Sequence, residues 1–178
     1  MTYRVYRAPD AMDPWKKALA TMDAKDRRIL NTDYSSREET LKRLLYLIGA
    51  LKLASNGKEW RRYGDQLEES IMRAVEVTDL VMDDGLPWAW MIHLLQAAIK
   101  SKPLDSSVLE SLALMADAIL QSYSIRLALT NDQDDHLQNR LVKAFVALYT
   151  AILEFAASSL RWLLGSASSK SMSPLPSD

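Results

Sequence analysis

The chain has 178 residues, with 22 Lys and Arg against 23 Asp and Glu and a formal net charge of −1. That balance argues against a general binder of phosphate backbones, whose affinity rests on excess cations. The absence of cysteine excludes a disulfide scaffold, a zinc ribbon and thiol catalysis, and five glycines leave little material for phosphate-cradling loops.

Residues Met1 to Asp10 mix polar, basic and aromatic side chains without the apolar core of a secretory signal, so residues 1–12 read as an extension. Asp13-Pro14 then marks a helix start, with Asp able to cap free amides and Pro pre-set for the first helical position. Trp15, Ala18, Leu19 and Met22 fall on one face. Asp23 restarts a short turn through Ile29 and Leu30. Ser36-Arg37-Glu38-Glu39 has the spacing of a capping box, opening a helix with Leu41, Leu44, Leu45, Ile48 and Leu51 on its apolar stripe. Ser55-Asn56-Gly57 ends it.

A second box pattern, Asp65-Gln66-Leu67-Glu68, predicts a helix start there, with Leu67, Ile71, Ala74, Val75, Thr78 and Met82 inward and an exit at Asp83-Asp84-Gly85. Leu86-Pro87-Trp88 opens a helix that is apolar nearly all round to Ile99, which places it inside a bundle. After Lys102-Pro103, Ser106 or Ser107 caps a fifth helix carrying Leu109, Leu112, Met115, Ala116, Ile119, Leu120 and Tyr123 inward. The sixth and longest runs from about His136 to Leu164. Lys143, Thr150, Glu154, Ser158 and Arg161 form its narrow polar stripe, against a wide apolar face that includes Phe145, Tyr149, Ile152, Leu153, Phe155 and Leu160.

The predicted fold class is all-α: a single helical bundle of about six helices over residues 13–164, with a central apolar helix and a long C-terminal one. Residues 165–178, from Gly165 on, read as a Ser-rich disordered tail or the start of a linker. No stretch reaches the ~20 uninterrupted apolar residues of a membrane-spanning helix, and spanning with the sixth helix would place Lys143, Glu154 and Arg161 in lipid. The expected compartment is cytoplasmic.

Chemistry is scarce. There is no G-x-x-x-x-G-K-[ST] loop and no G-x-S-x-G elbow, and His93 and His136 stand in no ligand spacing. Asn131 to His136 resembles a calcium loop but lacks the Gly and the twelfth-position Glu; acidic residues before a helix N-terminus explain it more simply. Met22, Met72, Met82, Met91 and Met115 are expected as core filler. The sequence thus nominates no catalytic residue, no cofactor and no metal ligand. Its most distinctive polar segment is Lys58-Glu59-Trp60-Arg61-Arg62-Tyr63. Lys58, Trp60, Arg61 and Arg62 are the candidate contacts for a partner or an anionic surface, with Trp60 stacking. The plainer reading is a connector whose Trp60 packs on the bundle and whose arginines are solvated or paired.

Three segments carry a resemblance: Asp13-Pro-Trp-Lys-Lys-Ala-Leu19, Leu86-Pro-Trp-Ala-Trp-Met-Ile-His-Leu-Leu-Gln-Ala-Ala-Ile99 and Leu141-Val-Lys-Ala-Phe-Val-Ala-Leu-Tyr-Thr-Ala-Ile-Leu-Glu-Phe155. In order, spacing and character they resemble the helical N-terminal domain of fungal NLR-like proteins, the signal-transduction NTPases with a central NACHT module. The resemblance implies a non-enzymatic signalling or interaction domain, in recognition or regulated cell death of an innate-immunity kind. Its partner would be a protein, either a NACHT module of the same chain or another copy of itself, and not a nucleic acid. Two alternatives stand beside it. One is a membrane-targeting cell-death effector, suggested by the wide apolar face of Leu141 to Leu163 and the cationic Lys58 to Arg62. The other is a small-molecule or lipid-binding bundle in which Trp90, His93 and Gln96 line a cavity.

Overall fold

The computed structural model describes residues 13–30, 36–54, 57–78, 86–100, 106–128 and 135–169. Among them the chain is all-α, an assembly of α1 (Pro14–Thr21), α2 (Ala24–Leu30), α3 (Arg37–Ala54), α4 (Lys58–Thr78), α5 (Leu86–Lys100), α6 (Ser106–Ala128) and α7 (Asp135–Ser169). Six of these are the helices expected, and the seventh, α2, grows from the short turn after Asp23.

The starts of α1 and α2 follow the same chemistry. Asp13 Oδ1 accepts from the Trp15 amide at 3.0 Å, and Asp23 Oδ1 accepts from the Lys25 amide at 3.0 Å, each satisfying an amide that the first turn leaves without a partner. At α3, Ser36 Oγ accepts from the Glu39 amide at 3.4 Å, one half of the expected box.

The second box does not form. α4 starts at Lys58, where the Gly57 carbonyl accepts from the Arg61 amide at 3.3 Å, so Lys58 to Arg62 is helix and not connector. Asp65 and Glu68 turn to a different task. Both accept from Lys52 of α3, at 2.5 and 2.6 Å. The two hydrogen bonds, Asp65's first, raise the Lys52 ammonium above its ordinary pKa. Gly64 makes the contact possible, since a Cβ there would sit 2.9 Å from Lys52 Cγ. The aliphatic stem of Lys52 therefore crosses α4 where α4 has no side chain.

Across the bundle the neighbours run α6, α4, α3, α5, α7, with α1 and α2 packed on α7 and thinner contacts of α6 with α5 and α7. α5 is the central helix, as its composition requires: Trp88 to Ile92, Leu94, Leu95 and Ala98 are all buried, and among its described side chains only His93, Gln96, Ala97, Ile99 and Lys100 reach partial or full exposure. The inward faces predicted for α3 and α6 are buried, save that Leu45 and Met115 are half-buried. On α4, Leu67, Ile71 and Ala74 are buried, whereas Val75 faces outward. Met22 and Met91 fill the core, but Met72 is 49% exposed and is not core filler.

α7 keeps its expected polar stripe, with Arg161 pairing Asp26 of α2 and Thr150 Oγ1 donating to the Val146 carbonyl at 2.8 Å. It differs in two respects. Gly165 lies inside the helix, which continues to Ser169, and Phe155, expected inside, is exposed. The apolar arc of α7 is wider than its neighbours α1, α2 and α5 cover, so one edge of it reaches the surface.

One polar chain runs through this interior. The ring of Trp15 stacks on Tyr149 at 3.9 Å, and Tyr149 Oη lies 2.6 Å from Ser122 Oγ. Ser122 donates its own hydrogen to the Ile119 carbonyl at 2.7 Å, so the phenol is the donor of the pair. α1, α6 and α7 are joined by three side chains in series.

Candidate interaction groove

The sequence-nominated residues sit at the first turns of α4. Lys58, Arg61 and Arg62 are exposed; the side chain of Trp60 lies outside the described residues. Lys58 stands three and four residues before Arg61 and Arg62, so the three cations share one broad side of α4. Successive residues of a helix point about 100° apart, so Arg61 and Arg62 leave α4 in different directions. Only Arg62 joins a larger feature.

That feature is a groove of about 320 Å³ between α4 and α6. Its α4 wall carries Arg62, Gln66, Glu69, Ser70 and Arg73, recurring at the three- and four-residue spacing of one helix face, with Tyr63 beside Arg62. The α6 wall carries Glu110, Ala113, Leu114 and Asp117, again a single face. Ser70 and Ala113 are buried and form the floor, while Leu114 is 67% exposed on the rim.

The charges are mixed and partly committed. Arg73 pairs with Glu69 one turn earlier on α4. Asp117 accepts from Gln121 at 3.5 Å. Arg62 rests over the ring of Tyr63, its guanidinium carbon 5.8 Å from the centroid, a cation–π distance. The α4 wall therefore offers a held guanidinium at Arg62, and the α6 wall offers the carboxylates Glu110 and Asp117. Opposite signs on facing walls suit a partner segment that carries both signs, which is the character of a protein surface. A polyanion would meet the carboxylates of α6.

A second, more open groove of about 430 Å³ lies between α1 and α7, with Ala20, Val142 and Val146 along it and Lys17, Lys143 and Thr21 at its edges. The three residues considered for an internal ligand differ in burial. Trp90 is wholly buried with its indole N–H unbonded among the described residues, whereas His93 and Gln96 are half-buried. Among the described residues no group of three or more His, Cys, Asp or Glu could hold a metal ion. Asp135 stands in the first turn of α7, where its charge favours the helix start; Asn131 to Asp134 and Asp83 to Gly85 lie outside the described residues.

Sequence reasoning singled out Arg62 by its basic, aromatic neighbourhood but missed the rest of the groove. The signal was present as two polar faces, Arg62-Gln66-Glu69-Arg73 and Glu110-Asp117, each at helical spacing. Comparison with known proteins finds no matching family model, no similar curated protein and no similar solved structure.

Proposed function

We propose that this chain is a non-enzymatic signalling or interaction domain that works through protein contacts, of the kind found at the N-terminus of NLR-like NACHT NTPases. The observation that carries the reading is the α4–α6 groove, whose facing walls present opposite charges over a buried small-residue floor. One buried polar pair, Ser122 with Tyr149, supports it too. Ser122 and Tyr149 spend their hydrogen bonds on each other and on the backbone, holding helices together. In this reading the domain stays cytoplasmic and delivers recognition or a cell-death signal by docking a protein segment, with Arg62 on the partner's carboxylate and Glu110 and Asp117 on its cation. The test is a panel of nucleotide, phosphoester and carboxylic-ester substrates. The expected result is no turnover above blank; turnover that Arg62→Glu and Asp117→Lys abolish while helicity is unchanged overturns the reading.

A second reading, a membrane-acting effector, draws on one observation. Residues Asp135–Gly165 of α7 are long and apolar enough to cross a membrane by length and composition alone. Against it, α7 packs on α1, α2 and α5 and buries Phe145, Tyr149, Ile152 and Leu153 there, although only a third of its most apolar stretch is covered. Dye release from anionic liposomes at micromolar protein favours the effector; no release removes it.

A further inference from the structure

α7 turns one long face to solvent. Lys143, Ala147, Ala151, Glu154, Phe155 and Trp162 are all exposed, Phe155 at 43% and Trp162 at 57%. At about 100° per residue, Phe155 and Trp162 project within roughly 20° of each other, on one flank of this face. Lys143 and Glu154 also project within roughly 20° of each other, on the opposite flank. Ala147 and Ala151 run between, leaving a shallow track along which another helix backbone can approach. Among the described residues neither Lys143 nor Glu154 makes an ion pair. Lys143 instead shares the edge of the α1–α7 groove with Lys17, so that end of the face is positive.

We infer that this face binds a second copy of the same chain, with the two α7 helices packed antiparallel about a two-fold axis near Leu148. The inference deepens the interaction reading and rests on it. The charge pattern selects the occupant. A two-fold axis across the helices brings like flanks together with reversed direction. Lys143 of one copy then faces Glu154 of the other, twice, and Phe155 of each copy lies over the Leu141 turn of its mate. A parallel two-fold pair would set the Lys143 and Glu154 flank of each copy against the aromatic flank of the other and leave both charges unpaired. The face is thus complementary to itself in one direction only, and it is rimmed by two aromatic side chains of the type enriched at interface centres.

The test is sedimentation velocity of the full chain from about 1 to 300 μM, for wild type, Lys143→Glu, Glu154→Lys and the double variant K143E/E154K, with circular dichroism confirming helicity. Wild type is expected to shift from one chain to two across the range. Each single charge reversal weakens association at least tenfold, and the double reversal returns it to within about threefold of wild type. Mixing the two single variants in equal amounts restores the two-chain species, because each supplies the charge the other lacks. A dimer indifferent to both single reversals overturns the inference, as does a wild type that stays monomeric at 300 μM. If that monomer sediments with phosphatidylserine vesicles, the occupant is a lipid surface and not a second copy. None of these variants touches the α4–α6 groove, so failure here is separable from failure of the interaction reading, which the substrate panel decides.

Discussion

The indole of Trp15 lies flat on the phenol of Tyr149, ring centroids 3.9 Å apart and planes 6° from parallel. Both side chains are fully buried, and the pair joins the first helix of the described chain to the last. The ring of Phe145 lies nearly parallel to that of Tyr149, centroids 6.2 Å apart. Trp15→Ala removes this contact and leaves a cavity, so a loss of about 3–5 kcal/mol in urea unfolding is expected. Tyr149→Phe keeps the stack and removes only the hydroxyl. Ser122 retains its bond to the Ile119 carbonyl, and the expected loss is about 1 kcal/mol. Equal losses for the two variants would contradict the stacking account.

Alkaline pH should weaken the same junction. Burial raises the pKa of Tyr123 well above the ordinary tyrosine value of 10.0, and burial raises Tyr149 in the same direction, with the Ser122 hydrogen bond and the Arg126 charge only partly offsetting it. A phenol with a raised folded-state pKa holds its proton longer folded than unfolded. Its contribution is complete below about pH 10 and is lost as pH climbs toward the folded value, at up to about 1.4 kcal/mol per pH unit for each phenol. Urea midpoints measured between about pH 8 and 11 should fall above pH 10, and Tyr149→Phe should reduce the slope. A slope unchanged in that variant would contradict the assignment.

The crossing of α3 and α4 depends on Lys52 and Gly64 together. Lys52→Ala is expected to cost under about 1 kcal/mol, because Asp65 and Glu68 are well exposed, and the cost should shrink in high salt. Gly64→Ala gains about 1 kcal/mol of helix propensity but displaces the Lys52 stem. Its full gain should therefore appear only in the Lys52→Ala background. A double-mutant cycle on unfolding free energies reads the coupling directly, and strict additivity would contradict the contact.

Much of this fold was legible because its signals are local. A cap and the proline after it (Asp13-Pro14), or a serine three residues before a glutamate (Ser36, Glu39), act within one turn, and the helices begin where those residues stand. Asp65 to Glu68 had the same local pattern and a different role, because Lys52, distant in sequence, competes for both carboxylates. The groove failed to show for a related reason. Arg62 and Asp117 belong to helices brought side by side only by packing, and one sequence does not reveal that pairing. Phe155 misled in the opposite sense: periodicity assigns it to an apolar arc, but whether the arc is covered depends on how many neighbours α7 has.

What meets the α4–α6 groove is the central question. A photo-crosslinking amino acid at Gln66, on the groove wall beside Arg62, irradiated in cells and read by mass spectrometry, reports it. A discrete protein adduct is expected, one that disappears when Arg62→Glu and Asp117→Lys are introduced with helicity unchanged. No protein adduct, together with a small-molecule adduct or a turnover that the same two substitutions abolish, would contradict a protein-docking role for the groove.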